Sequence, residues 1–270
     1  MIKFLDVHKQ DKKFLNSFIR DIKKLFKKND FILGNKVKEF EKKFSNLCNS
    51  KYAIGCANGT DALTLALKSL DLPKNSEVIM PAMTYCSTAF AIINAGLKPI
   101  LVDIESKTPT IDINEIKKKI TSKTKVIMPV HLYGSVANIN QIKKLIGKKK
   151  IHLIDDASQA HGAIDDSNNM KLKNVGSSCE ISCFSLYPGK NLGAYGDAGI
   201  ITTNNKSIFK KIENLRNLGS TKKFIHSNVG FNSRLDTIQA IFLIKKLTQL
   251  KKNNKKRISI ANFYSKNINN

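Results

Sequence analysis

The chain has 270 residues, of which 41% are hydrophobic and 25% are charged, the composition of a soluble globular protein with a large core. No uninterrupted apolar run approaches the ~20 residues that span a membrane, which predicts a cytoplasmic protein with no membrane partner. The formal net charge is +25, but the lysines are spread along the whole chain without interleaved aromatic residues, which favours a solvated basic surface over a nucleic-acid site.

The predicted elements begin with a helical stretch over residues 12–48, interrupted at 31–34. From residue 51, short apolar runs alternate with amphipathic segments. The predicted strands are 52–54, 78–80, 98–102, 126–130, 151–154, 179–185 and 199–203, and the predicted helices are 61–70, 87–94, 113–120 and 139–146. This alternation indicates a largely parallel sheet with helices on both faces, in which ligands gather where strands end and helices begin.

Residues 56–63, CANGTDAL, join a predicted strand to a predicted helix. Gly59 lets the backbone approach a ligand closely, while the helix start and the Thr60 hydroxyl favour an anion. An ordinary turn capped by Thr60 or Asp61 explains the segment as well.

Asp155 and Asp156 follow the apolar run 151–154. Carboxylates are rarely buried unless they are paired, so an acid at this strand end needs a cation. The protonated nitrogen of a pyridine ring would serve, because the carboxylate would hold that proton. Helix capping by either aspartate is an equal alternative. The nearby His161 is either a ligand contact or a structural histidine.

Lys190 lies in a glycine- and proline-rich loop between two apolar runs, whereas most other lysines lie on helical faces or at polar chain ends. A lysine held in such a loop is a candidate to bond covalently to an aldehyde, because desolvation and nearby cations lower its pKa. Ser185, five residues earlier, could donate a hydroxyl to a phosphate. The alternative is one more surface lysine in a lysine-rich chain.

The five cysteines are scattered, and no pair has CxxC spacing, so neither a disulfide framework nor a zinc site is indicated. No metal is expected, and all five are predicted to be buried free thiols. They are Cys48, Cys56, Cys86, Cys179 and Cys183.

Six segments in this order resemble the DegT/DnrJ/EryC1/StrS family of nucleotide-sugar aminotransferases, which use pyridoxal 5′-phosphate (PLP). They are NGTDALTLAL, PAMTYCSTAFAIINAGLKPILVDI, VHLYG, IDDASQAHGA, FSLYPGKNLGAYGDAG and GFNSRLDTIQA. The resemblance implies an α/β fold of fold-type I, with a large domain built on a mostly parallel seven-stranded sheet between helices. Ala198 stands where many members have glycine, a mild departure.

The resemblance also implies a role for individual residues. Lys190 would be the catalytic lysine that bonds to the cofactor and moves a proton, and Asp156 would pair with the pyridine nitrogen. Gln159 would lie near the ring hydroxyl. Tyr85 would stack on the ring, unless it is a half-buried core tyrosine. The implied cofactor-binding set is Gly59, Thr60, Tyr85, Asp156, Gln159, Ser185, Lys190 and Asn232.

In the family, the counterpart of Asn232 reaches the phosphate of the neighbouring subunit, which implies a homodimer with shared active sites. A helix cap is the alternative for Asn232. Arg234 is expected to form an ion pair with Asp236 rather than to contact an anion.

The implied reaction moves an amino group from glutamate to a keto-sugar nucleotide, for amino-sugar or surface-polysaccharide biosynthesis. The versions YPGK and NSRLD favour a dTDP-linked 3-keto-6-deoxyhexose, with a UDP-linked keto sugar as the alternative. Three other functions stay open. They are a sugar dehydratase, which Lys190 argues against, a regulatory PLP-fold protein without turnover, and a basic nucleic-acid-binding module.

The predicted organisation is an N-terminal helical segment over 1–48, a PLP-binding large domain over 49–245, and the start of a truncated small domain over 246–270. Family members continue into a smaller C-terminal domain, so we expect exposed apolar side chains where that domain would pack.

Overall fold

The computed structural model describes residue 6 and residues 12–165, 173–222 and 224–268. Its helices are α1 (Leu15–Lys28), α2 (Asn35–Cys48), α3 (Gly59–Lys68), α4 (Ser87–Asn94), α5 (Ile113–Lys119), α6 (Ile139–Ile146), α7 (Lys206–Leu215), α8 (Thr237–Leu247) and α9 (Leu250–Asn267). Short 3-10 turns cover Lys12–Phe14 and Leu132–Gly134. The predicted break in the first helical stretch is real, because Asn29 adopts a left-handed conformation that ends α1.

A seven-stranded sheet forms the centre of the fold. Its strands are β1 (Tyr52–Cys56), β2 (Glu77–Pro81), β3 (Lys98–Val102), β4 (Thr124–Ile127), β5 (His152–Asp156), β8 (Ile181–Ser185) and β9 (Gly199–Thr203). Two small ribbons are formed by β6 (Ile164–Asp165) with β7 (Lys173–Asn174) and by β10 (Ser220–Lys222) with β11 (Ile225–His226).

The strand order is β1-β9-β8-β5-β4-β2-β3, and the pairs from β8 to β3 are all parallel. Only β9 is antiparallel to its neighbours, β1 and β8. This confirms the predicted α/β fold with a mostly parallel sheet. It also means that β1, β2, β3, β4, β5 and β8 all point their carboxyl ends at one edge.

Both faces of the sheet are covered, which explains why its strands read as continuous apolar runs. Successive strand residues point to opposite faces, so Ile200 and Ile201 are both fully buried but belong to different core clusters. Cys183 and Phe184 divide in the same way.

Four of the five cysteines are buried free thiols, as expected. Cys86 is the exception, because it lies in the loop between β2 and α4 and is exposed. The prediction that all five are buried was therefore wrong at this position.

The last helix, α9, and the residue after it expose large apolar side chains, as we expected for this part of the chain. They are Ile258, Ile260, Phe263, Tyr264 and Ile268. Contact between these residues and a further domain stays a prediction. The predicted domain boundaries at residues 48 and 245 also stay predictions. Within the two outer segments, residues 1–5, 7–11 and 269–270 lie outside the described part of the chain. No helix among the described residues is both long and apolar enough to cross a bilayer.

Candidate active site

A cavity of about 700 Å³ opens at the edge of the sheet where six strands end. Seven of the eight residues predicted to bind the cofactor line it: Gly59, Thr60, Tyr85, Asp156, Gln159, Ser185 and Lys190. They come from segments up to 131 positions apart, counted from Gly59 to Lys190. Parallel strands bring them together because their carboxyl ends share one edge.

At one end of the cavity, helix α3 begins against the end of β8. Gly59 is required there because a Cβ atom at this position would lie 2.6 Å from the Cβ of Ser185. The Asn58 side chain caps the helix by accepting a hydrogen bond from the Asp61 amide at 2.8 Å. Capping by Thr60 or Asp61, the alternative considered above, was therefore wrong.

Three hydroxyl groups lie at this end. Thr60 Oγ1 donates to Ser87 Oγ at 2.9 Å, and Ser185 is half-buried at the end of β8. Together with the start of α3, these groups form a cradle that fits a phosphate.

In another part of the cavity wall, Asp156 is 5% exposed and terminates β5. Its Oδ2 accepts from Thr88 Oγ1 at 2.9 Å, and its Oδ1 accepts from the Ser158 amide at 3.1 Å. Within the described residues, no cationic side chain forms an ion pair with Asp156. A buried carboxylate that has hydrogen bonds but no counter-cation fits the protonated nitrogen of a pyridine ring.

The neighbouring Asp155 points to the opposite face of the sheet, as alternation along a strand requires. Its Oδ2 lies 2.9 Å from His131 Nε2, and both side chains are buried. His131 Nδ1 accepts from the Ala137 amide at 3.1 Å, so the ring proton lies on Nε2 and faces Asp155. The pleat of β5 thus separates a structural aspartate from one that faces the cavity. Neither caps a helix, because no helix begins between β5 and β6.

Lys190 is half-buried and lines the same cavity as Asp156 and Ser185. Its loop is tight, because a Cβ atom on Gly193 would meet the Pro188 carbonyl oxygen at 2.5 Å. Burial lowers the pKa of Lys190, while the charge of Asp156 acts to raise it. The sequence had suggested nearby cations as a second cause of lowering, but desolvation alone produces it. A larger share of the amine is therefore neutral, the form in which it can bond to an aldehyde or accept a proton.

The two other residues predicted to contact a ring, Tyr85 and Gln159, are accessible from the cavity. Tyr85 is 70% exposed, so the alternative of a half-buried core tyrosine was wrong. Gln159 is held by a 2.7 Å hydrogen bond from the Tyr133 amide to its Oε1. Both side chains are therefore placed where they can contact a ring.

Asn232 is the predicted cofactor residue that the cavity does not include. It is exposed and pairs in an isolated bridge with Asn217, and helix α8 begins only at Thr237, so it is not a helix cap. Arg234 donates to Asn217 Oδ1 at 3.0 Å. The expected ion pair between Arg234 and Asp236 is absent from the described structure, so that prediction was wrong.

Several polar groups at the site were missed by reasoning from the sequence. They are Asn58, Thr84, Ser87, Thr88 and His131. The available signal was their position just after predicted strands, where the carboxyl edge of the sheet collects polar groups. Thr88 in particular is fully buried, and its hydroxyl lies 2.9 Å from that of Thr84.

We predict that Thr88→Val weakens the site without unfolding the chain, because valine keeps the shape but removes the donor to Asp156. The rate of amino transfer should fall about tenfold, the loss of one hydrogen bond to a charged group. Cofactor affinity and the pH dependence of cofactor absorbance should change together with the rate, and Thr88→Ser should restore all three. An unchanged spectrum and affinity in Thr88→Val would show that the hydroxyl does not position Asp156.

His161 is buried, and its ring centroid lies 5.5 Å from that of Phe184. Burial lowers its pKa from 6.5 to about 3, against the opposing effect of the Ser185 backbone. Because the unfolded chain takes up this proton first, the folded state loses stability as the pH falls below 6.5 towards 3.

We therefore predict that acidification from pH 7 to pH 5 costs the wild type on the order of 2 kcal/mol more than His161→Gln, whose side chain cannot protonate. Urea unfolding at both pH values measures the difference. Comparing how much the free energy of unfolding changes between the two pH values cancels any constant destabilisation by glutamine. An equal change in the wild type and the variant would contradict the prediction.

Known proteins match this chain along nearly its whole length. A family model described as the DegT/DnrJ/EryC1/StrS aminotransferase family matches residues 13–270. The chain is 42% identical to the dTDP-3-amino-3,6-dideoxy-alpha-D-galactopyranose transaminase of Aneurinibacillus thermoaerophilus, over 100% of this chain and 73% of the relative. It is 37% identical to the UDP-N-acetyl-3-dehydro-alpha-D-glucosamine 3-aminotransferase of Acidithiobacillus ferrooxidans, over 94% of this chain and 67% of the relative.

A solved structure agrees with these relatives. The X-ray structure of DesV from S. venezuelae, in complex with a ketimine intermediate, superposes with a TM-score of 0.93 at 34% identity, covering 97% of this chain and 70% of that one. The fold, the lysine and buried carboxylate that line one cavity, and the phosphate cradle therefore have one explanation. The chain belongs to the DegT/DnrJ/EryC1/StrS aminotransferase family and is built as a PLP-dependent sugar aminotransferase.

Proposed function

We propose that this chain moves an amino group from glutamate to a keto carbon of a nucleotide-linked sugar. The observation that carries the proposal is that Lys190, Asp156 and the phosphate cradle at Gly59 face one cavity. When bound, PLP supplies an electron sink and carries the amino group between the two halves of the reaction.

The chain's own residues supply positioning and proton transfer. The lowered pKa of Lys190 favours the neutral amine, the form that can accept a proton and later return it. Asp156, oriented by Thr88 and Ser158, holds a proton at the ring nitrogen. The start of α3 and the Ser185 hydroxyl bind the phosphate group.

Within this function, a 3-keto sugar linked to dTDP is the substrate that we favour. The Aneurinibacillus relative is named for a dTDP-linked 3-amino sugar, and the YPGK and NSRLD segments fall with the same group of the family. A UDP-linked 3-keto sugar is the second candidate, because the Acidithiobacillus relative is named for one. We assign the reaction to amino-sugar or surface-polysaccharide biosynthesis in the cytoplasm.

We further propose that two copies of the chain share their active sites. Asn232 is exposed and lies outside the cavity of its own subunit, so it is free to reach the phosphate of a partner. The preceding segment exposes apolar side chains, with Phe224 85% and Val229 96% accessible. Exposed apolar groups of this kind mark interaction surfaces.

The test begins with the chain loaded with PLP and given glutamate, with 2-oxoglutarate as the measured product. A panel of dTDP- and UDP-linked 3-keto and 4-keto sugars then follows, with the aminated carbon identified by NMR. The expected result is amination at the third carbon. Cofactor binding without any release of 2-oxoglutarate would instead identify a non-catalytic or regulatory PLP-fold protein.

A further inference from the structure

A second cavity, of about 600 Å³, adjoins the cofactor site. Gln159 and Lys190 line both cavities, so the two are continuous at the catalytic lysine. The far wall of the second cavity is helix α9, through Asn254, Arg257 and Ile258. A molecule in this space can therefore touch α9 at one end and the reacting centre at the other.

The second cavity is positively charged. Its lining residues include Lys190 and Arg257 but no aspartate or glutamate. Among the described residues, no carboxylate forms an ion pair with Arg257. The positive charges of Lys190 and Arg257 both lower the pKa of the buried His161, so all three side chains lie close enough to interact electrostatically.

Arg257 is also held in position. Its Nη1 donates to Asn254 Oδ1 at 3.3 Å, and the same oxygen accepts from Asn191 Nδ2 at 3.2 Å, next to the catalytic lysine. Asn254 Nδ2 in turn donates to the His161 carbonyl oxygen at 2.9 Å. The amide of Asn254 thus ties the guanidinium to both loops that border the cavity, although the guanidinium itself remains exposed.

The positive charge of the second cavity and the position of Arg257 together indicate which kind of ligand would bind there. A guanidinium without an acidic partner presents a planar pair of donors that matches a carboxylate. Lys190 marks the point where an incoming amine must arrive. We propose that Arg257 binds a carboxylate of the amino donor, an inference that rests on the proposed function and extends it to the donor's own subsite.

The test compares Arg257→Gln with Lys256→Gln, which removes an adjacent exposed charge that lines neither cavity. The probe is glutarate, a dicarboxylate without an amine, and its binding to the PLP-loaded chain is measured by calorimetry. We expect the glutarate Kd, and the glutamate concentration that half-saturates release of 2-oxoglutarate, to rise about 10- to 100-fold in Arg257→Gln. Arg257→Lys should recover part of the loss, and Lys256→Gln should match the wild type.

Three outcomes would overturn the inference: no glutarate binding to the wild type, glutarate binding that Arg257→Gln leaves unchanged, or weakened binding of dTDP or UDP alone. The last would assign the guanidinium to the nucleotide's diphosphate. A failure of the proposed function would give a different result from a failure of this inference. Glutarate binding would still depend on Arg257, but the wild type would release no 2-oxoglutarate from glutamate.

Discussion

Lys190→Ala is expected to abolish amino transfer, with release of 2-oxoglutarate from glutamate slowed by about 10³-fold or more. The reason is positional, because Lys190 is the lysine that lines the cavity beside Asp156 and whose pKa burial lowers. Its removal takes away both the amine that bonds to the cofactor and the group that moves the proton. The measurement is a stopped assay for 2-oxoglutarate, with thermal unfolding to confirm that the variant is folded.

The matched control is Lys148→Ala, which removes an exposed lysine that lines neither cavity and should leave the rate unchanged. Borohydride treatment of the PLP-loaded wild type, followed by peptide mass analysis, should place the covalent adduct at residue 190. An adduct on any other lysine, or a Lys190→Ala variant that still transfers amines at the wild-type rate, would contradict the assignment.

The sheet could be predicted because strands buried on both faces are continuous apolar runs in the sequence. Residues 199–203 form one such run, in which consecutive side chains are buried in different clusters. The position of the site followed from the same pattern, since candidate residues such as Gly59 and Asp156 immediately follow or end strands whose carboxyl ends converge.

Contacts between residues far apart in the chain, and the direction in which a side chain points, could not be predicted from the sequence. Thr88 and Asp156 are 68 positions apart, and no local pattern links a threonine in the first turn of α4 to a carboxylate at the end of β5. The choice between Asp155 and Asp156 needed the pleat of β5, which turns one side chain to His131 and the other to the cavity.

The expected ion pair of Arg234 failed for a related reason. Closeness in sequence suggested Asp236 as its partner, but the backbone bridge between Asn217 and Asn232 brings the guanidinium to Asn217 instead. Surface ion pairs contribute little free energy, so a short-range charge pattern is a weak guide to which contact forms.

The second large effect is expected for Asp156→Asn, which should slow amino transfer by about 10²- to 10⁴-fold while the chain stays folded and still binds PLP through Lys190. The fold can accept the amide. The asparagine oxygen can keep the bond from the Ser158 amide, and its NH₂ group can donate to Thr88, whose hydroxyl can then donate to Thr84.

The lower rate of amino transfer in Asp156→Asn would therefore result from the loss of the negative charge and not from a change in side-chain shape. An amide cannot hold a proton on the ring nitrogen as a buried carboxylate does, so the electron sink is weakened where the reaction needs it. Single-turnover rates with glutamate, cofactor spectra across pH and the Kd for PLP separate these effects, with the exposed Asp103→Asn as the charge-matched control. The ordering should be Asp103→Asn near wild type, Thr88→Val slower by about tenfold, and Asp156→Asn slowest, because the threonine only orients the charge that the aspartate carries. Near-wild-type rates in Asp156→Asn would mean that the ring nitrogen does not face this carboxylate.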